Sequence, residues 1–299
     1  MDCPYKVMQR IKPSKNNGYQ SGYILRPCGL CMNCRKNKAR EWGTRIYHES
    51  KFYLDNSFIT LTYDDENLPL NKFGVPTLVK RDLQLFMKRL RDYVYPLEIR
   101  FFGVGEYGDE TRRPHYHVIV FGLHPLDYRF VTDYSEVENG YVVDCKPWKL
   151  GRVHVGFVDI GSSMYVAGYG LKKVMGKGAA AYYDEHDLQA PFSLMSRRPG
   201  IGFDYLERYG EELIQFGKCQ VEGNSFPLPK YYREKLDIKN SSEEQERAFE
   251  RWRLGMMKRD EACKSVGSFQ DYIKKNVDAE QQTVWNMDFF KRLENRGKL

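Results

Sequence analysis

Residues 114–122 read PHYHVIVFG, and the alternation in that run constrains the fold more than any other feature of the chain. Side chains in a strand alternate between faces, so His115 and His117 share one face while Tyr116, Val118 and Val120 share the other. Two imidazoles about 7 Å apart along one strand can converge on a single metal ion. Glu106 ends the preceding apolar run, EIRFFGVGE (98–106), and the turn-rich YGDETRRP that follows can fold that run antiparallel to the histidine strand. Two imidazoles and one carboxylate with open positions suit Mg²⁺ or Mn²⁺ acting on a phosphate oxygen. The alternative is a pair of ordinary strand histidines beside a surface carboxylate.

Further strands are expected at FITLTY (58–63) and RVHVGFVDI (152–160), both rich in β-branched and aromatic residues. Leu83, Phe86, Met87 and Leu90 recur at helical spacing and predict an amphipathic helix over 77–95. A second helix is expected after Gly161-Ser162-Ser163, and a basic one over RKNKAREWGTRIYHES. The stretch 124–150 reads as a loop with a short amphipathic piece, and PFSLMSRRPGIGFDYLERYG as a loop leading into a short helix. The fold class is therefore α+β with a largely antiparallel sheet. Three segments are expected: a Cys-rich 1–50, a core of 51–205, and a mainly helical 206–299 containing a long charged helix over 241–264.

In MYVAGYGLKKV, a helix would place Tyr165, Tyr169 and Lys173 on one stripe with Lys172 beside them. Core packing is the plainer reading of the tyrosines. Gly168 and Gly170 stand against a continuous helix, at about 1 kcal/mol each relative to Ala. Near the N-terminus, Cys28, Cys31 and Cys34 follow one another at two-residue spacing, with Cys3 upstream. Four such thiolates can close a tetrahedral Zn²⁺ site. An iron–sulfur cluster competes, although its usual fourth cysteine is replaced by Lys38, and unliganded reduced thiols are the third reading. Seven cysteines, an odd count, argue against a disulfide framework. The run GLKKVMGKG falls short of a phosphate-binding P-loop, having one residue too many and no Ser or Thr after Lys177. A formal charge of +7 suits a polyanionic partner. Neither a membrane-spanning run nor a signal-type segment is visible, so a cytoplasmic protein is expected.

FITLTY, PHYHVIVFG and YVAGYGLKK, in that order, resemble the HUH-type rolling-circle replication initiators. With GEYGDETRRPHYHVIVFG, CGLCMNC and PFSLMSRRPGIG, the chain is most similar to the initiators of microviruses in their gokushovirus branch, over residues 1 to about 205. The resemblance implies an RRM-like HUH endonuclease domain with a central antiparallel sheet, flanked by the Cys cluster and a C-terminal helical extension. It implies His115 and His117 as metal ligands, Glu106 as the neighbouring carboxylate, and Tyr165 and Tyr169 as nucleophiles. These relatives usually carry a lysine between the tyrosines where this chain has Gly168, so Lys172 or Lys173 would take its part. Thr60, Thr62, Arg112, Arg113, Arg197 and Arg198 are candidate DNA contacts. The implied partner is single-stranded DNA at a phage replication origin, with host helicase and polymerase, in the cytoplasm of a bacterial cell. An HUH transposase or relaxase, and a non-enzymatic zinc-stabilised single-strand-binding protein, are the competing readings.

Overall fold

The histidine run folds as a strand, Pro114–Phe121, and nearly every one of its residues is buried. A strand buried on both faces needs a layer on each side, and the architecture supplies two. The structure, a computed structural model, describes residues 3, 7–11, 22–108, 111–169 and 179–236, with isolated positions 257, 261 and 264. Its elements are β1 (Val7–Ile11), β2 (Gly22–Arg26), α1 (Met32–Ser50), β3 (Asn56–Thr62), α2 (Lys80–Val94), β4 (Arg100–Tyr107) and β5 (Pro114–Phe121). There follow β6 (Val131–Val137), β7 (Gly140–Cys145), β8 (Val153–Phe157), α3 (Ile160–Gly168), α4 (Ala179–Glu185) and β9 (Phe192–Met195). The last are α5 (Phe203–Phe216), β10 (Lys218–Val221), β11 (Asn224–Pro227) and α6 (Lys230–Lys235).

These elements divide into two compact units. One comprises Trp42–Tyr209 with Val221–Gly223; the other is drawn from the described residues of Met1–Glu41, Gly210–Gln220 and Asn224–Leu299. The first holds a seven-stranded sheet in the order β6-β7-β8-β3-β5-β4-β9. Every neighbouring pair in it is antiparallel, as the α+β expectation required. On one face, Leu83, Phe86, Met87, Leu90 and Val94 of α2 pack against Ile59, Leu61, Tyr116, Val118 and Val120. This is the predicted apolar stripe, and each such side chain contributes about 1.5–3 kcal/mol when fully buried. On the other face, Ile46 of α1 and Val166 and Ala167 of α3 pack against Phe102, Val104, Ile119 and Phe121.

Two stretches read as loops are strands. Residues 131–145 form the hairpin β6–β7, with Asn139 and Gly140 at positive φ in its turn. β6 is an edge strand whose residues after Val131 are all exposed, so it lacks the alternation that betrays a half-buried strand. β9, within the expected PFSLM loop, pairs with β4 from Phe102↔Met195 to Gly105↔Phe192. It is only four residues long, too short for periodicity to register. The expected helix over 241–264 lies outside the described residues save positions 257, 261 and 264, which are helical. Among the described residues no helix is long and apolar enough to cross a membrane.

Candidate functional site

Strand register assembles the site. Across β3, β5 and β4, Thr62, His115 and Glu106 lie in one transverse row, and Thr60, His117 and Val104 in the next. Paired residues share a face, so both histidines and Glu106 meet beneath α3. His115 Nε2 lies 2.9 Å from Glu106 Oε1, and His117 Nε2 lies 3.6 Å from the same oxygen. One ligand atom from each of the three residues falls within 4.8 Å of the others. Glu106 and His117 are buried, and His115 is half-buried.

The hydrogen bonds behind the imidazoles set their tautomers. His115 Nδ1 is 3.0 Å from the Arg113 carbonyl oxygen. A carbonyl only accepts, so Nδ1 carries the proton and a neutral ring presents a lone pair at Nε2. That lone pair faces a carboxylate oxygen at 2.9 Å, an arrangement that calls for a cation between them. Ligands about 2.1 Å from a metal and at right angles stand about 3.0 Å apart, so the three residues fit one ion. Thr60 Oγ1 sits 3.0 Å from His117 Nδ1 and holds that ring in the same way.

Helix α3 brings the tyrosines to this cluster. It opens with a capping box in which Asp159 Oδ1 accepts from the Ser162 N–H and Ser162 Oγ accepts from the Asp159 N–H. The helix ends at Gly168, and Tyr169 is its C-cap. The glycine expected to weaken the helix therefore stands at its end. Tyr169 is 4 % exposed and lies flat on His117, with centroids 4.6 Å apart and planes at 5°. Tyr165 is 55 % exposed and meets His117 edge-on at 5.6 Å and Tyr169 at 4.7 Å. Phe58 lies parallel to the His117 ring at 5.6 Å. Lys172 and Lys173 lie outside the described residues.

The other candidates divide. Thr60 faces the cluster but supports His117, while Thr62 Oγ1 donates to the Arg152 carbonyl. Arg113 is held by the Tyr63 carbonyl and by Asp65, closing the β4–β5 turn onto the end of β3. Arg112 carries its guanidinium over the Tyr107 ring. Arg197 and Arg198 are exposed on a turn fastened from beneath. Arg100 Nη2 donates to the Pro199 carbonyl, Arg45 Nε to the Ile201 carbonyl, and the Gly202 N–H to Glu49.

Sequence reasoning missed Gly43. A Cβ there would stand 2.3 Å from Met164 Sδ and 3.3 Å from Met164 Cα, so α1 can pass this close to the tyrosine helix only because the residue is glycine. An isolated glycine inside a basic helix was its only signal.

In the second unit, Cys3, Cys28, Cys31 and Cys34 bring their sulfurs within 4.8 Å of one another. Cys28 and Cys34 sulfurs are 3.9 Å apart, those of Cys31 and Cys3 3.8 Å. Thiolates about 2.3 Å from a tetrahedral ion stand about 3.8 Å apart, so these four fit a closed metal site. No disulfide joins them. Burial pushes the Cys34 thiol up. Burial acts on Cys28 in the same sense but is outweighed by N–H donation from Cys31 and Leu30, which holds this thiol below its ordinary range.

Residues 56–175 match the model of a protein family described as replication-associated protein, ORF2 type. Replication-associated protein VP4 of Bdellovibrio phage phiMH2K is 36% identical over 222 residues, which is 70% of this chain and 66% of that protein. Replication-associated protein ORF2 of Spiroplasma virus 4 is 31% identical over 224 residues, covering 71% and 67%. Replication-associated protein ORF4 of Chlamydia phage 1 is 29% identical over 221 residues, covering 70% of this chain and 53% of the relative. The aligned region thus spans between about half and two thirds of these relatives. No solved structure matches the chain.

Proposed function

Because this chain belongs to the family of phage replication-associated proteins, we propose that it initiates replication by cutting one DNA strand with a tyrosine and later rejoining it. The observation that carries this reading is the ring contact of Tyr165 and Tyr169 with His117, a residue of the three-ligand cluster. A phenol with a pKa near 10 is a weak nucleophile at neutral pH, so it needs help from its surroundings. Glu106, His115 and His117 would hold Mg²⁺ or Mn²⁺, which when bound draws negative charge from the scissile phosphate. The Tyr165 oxygen attacks phosphorus, its proton passes to solvent, and the P–O3′ bond breaks. The products are a 5′-phosphotyrosine and a free 3′-OH. Lys172 or Lys173 would stabilise the phenolate. The exchange of one phosphodiester for another conserves bond energy, so attack by a 3′-OH restores the strand without ATP.

Exposure assigns the first cut to Tyr165, while Tyr169, packed on His117, serves the second. Single-stranded origin DNA is the substrate. Host helicase and polymerase would unwind the duplex and extend the 3′-OH in the bacterial cytoplasm. Thr62, Arg112, Arg197 and Arg198 are candidate DNA contacts. The four cysteines would hold a structural Zn²⁺, the ion suited to closed thiolate sites.

The test is a labelled single-stranded origin hairpin incubated with the protein and Mn²⁺, followed by denaturing gel electrophoresis. A covalent adduct is expected. It should vanish in Tyr165→Phe and His117→Ala, whereas Tyr169→Phe should form it and fail in rejoining. Absence of any adduct across candidate origins refutes the nuclease reading.

A further inference from the structure

A cleft of about 480 Å³ opens at the end of the sheet that carries the metal-binding cluster, lined in part by Asp144, Lys146, Lys149 and Arg152. Its volume lies in the range of sites that take one small ligand, such as a single nucleotide. Arg152 precedes Val153, the partner of Leu61, so it extends the row of Thr62, His115 and Glu106 by one strand. Two strand spacings, about 10 Å, separate its backbone from that of His115. The cleft therefore adjoins the cluster along the same sheet.

Its charged rim is rigidly mounted. The Thr62 N–H donates to the Arg152 carbonyl at 3.0 Å, the Asp64 N–H to the Leu150 carbonyl at 2.9 Å, and Trp148 Nε1 to the Thr62 carbonyl at 3.1 Å. Trp148 is buried and packs on Tyr63, Tyr116 and Phe86. Gly151 lets the loop lie against β3, since a Cβ there would stand 2.3 Å from the Asp64 nitrogen and 2.4 Å from the Thr62 oxygen. Lys146 is occupied, its Nζ donating to the Arg129 carbonyl. Lys149 and Arg152 are both exposed, and among the described residues neither forms an ion pair. Two cations fixed beside the reacting centre and free of carboxylate partners suit phosphate groups. Asp144 on the rim repels a second phosphate and suits the amino edge of a base, so the cleft fits a nucleotide better than a polyphosphate.

We propose that this cleft is a subsite for single-stranded DNA, in which Lys149 and Arg152 hold the backbone a nucleotide or two from the phosphate that is cut. The proposal rests on the nuclease reading for the identity of the strand, but its test needs no cleavage. The full-length protein would be titrated against a fluorescein-labelled single-stranded 30-mer in EDTA, across a salt series, with anisotropy as readout. Lys149→Ala/Arg152→Ala should bind roughly 10-fold or more weakly. Its plot of log K against log salt should be shallower by about 1.4, at about 0.7 for each phosphate no longer neutralised. Lys149→Arg/Arg152→Lys keeps the charges and should keep the slope, which separates charge loss from misfolding. Arg81→Ala/Lys88→Ala removes two charges from α2, on the opposite face of the sheet, and should leave the slope unchanged. An unchanged slope in the first double variant, or an equal fall in the α2 variant, overturns the proposal. Slope loss without any adduct would spare the cleft and sink the nuclease reading; an adduct with no slope loss would do the reverse.

Discussion

Removing Arg100 should destabilise the protein by an amount that grows with pH. Glu49 is 1 % exposed; Oε1 accepts from Arg100 Nε at 2.5 Å and Oε2 from the Gly202 N–H at 2.5 Å. Burial pushes the Glu49 carboxyl above the usual range, and Gly202 and Arg100 pull it back in part. In Arg100→Met only burial, the Gly202 N–H and the nearby Asp204 charge remain, so the folded state escapes an unpaired charge by protonating Glu49. That escape sets a ceiling on the cost. At about 1.4 kcal/mol per pH unit, over roughly 2.7 units between an ordinary glutamate and pH 7, the ceiling is about 3.7 kcal/mol. This agrees with the roughly 3–5 kcal/mol lost when one partner of a buried pair is removed. At pH 5 it shrinks to about 1 kcal/mol. A folded-state pKa above the unfolded one means stability is full below the ordinary glutamate pKa and is lost as pH rises, so the gap from wild type must widen between pH 5 and 7. The lost bond to the Pro199 carbonyl adds about 1 kcal/mol that does not vary with pH. Urea denaturation at pH 5, 6 and 7 measures the gap, and Glu49→Gln/Arg100→Met should abolish its slope. A gap of equal size at all three pH values would refute the reasoning.

Thr60→Val keeps shape but loses the partner of His117 Nδ1, and should weaken Mn²⁺ binding about 10–100-fold by titration calorimetry. Zinc content by elemental analysis should approach one ion per chain and fall sharply in Cys31→Ser/Cys34→Ser. Side-chain hydrogen bonds from Arg129 hold the Asp127 carboxyl below its usual range, so its contribution is present above the ordinary aspartate pKa and lost as pH falls. Asp127→Asn should therefore be less stable than wild type at pH 7 in urea, with the two converging near pH 3. Gly151→Ala drives a Cβ into backbone atoms that cannot yield, at a positive φ, and should cost at least about 2 kcal/mol in thermal melts.

Periodicity carried much of this site and nothing of its surroundings. The alternation in HYHVIVF put both histidines on one face, and the run ending at Glu106 folds antiparallel to them as expected. The stripe of Leu83, Phe86, Met87 and Leu90 likewise marked the core-facing side of α2. What escaped were elements whose side chains carry no pattern. β6 is exposed, so its place in the sheet rests on backbone hydrogen bonds and the Asn139-Gly140 turn. Lys149 and Arg152 look in sequence like any solvated charges. Their meaning comes from Trp148 and Gly151, which tie the loop to β3, a strand 86 residues back along the chain from Trp148.

The helix that carries the tyrosines shows why spacing alone could not rank them. An i, i+4 pair on a long helix would present two equivalent hydroxyls to the cluster. Because α3 stops at Gly168, Tyr165 belongs to a capped helix anchored by Val166 and Ala167, while Tyr169 sits at the C-terminal boundary. A helix terminus frays more readily than its interior, since its last carbonyls lack helical partners. Tyr169 can therefore change position by rearranging one turn, leaving Tyr165 and the metal-binding residues where they are. Open space around Gly168, where a Cβ would meet nothing within 4 Å, leaves room for that movement. On the proposed reading this asymmetry answers a requirement of the chemistry. While the first tyrosine holds DNA covalently, the second must reach the same phosphate-activating site, and two residues fixed rigidly on one helix could not both do so.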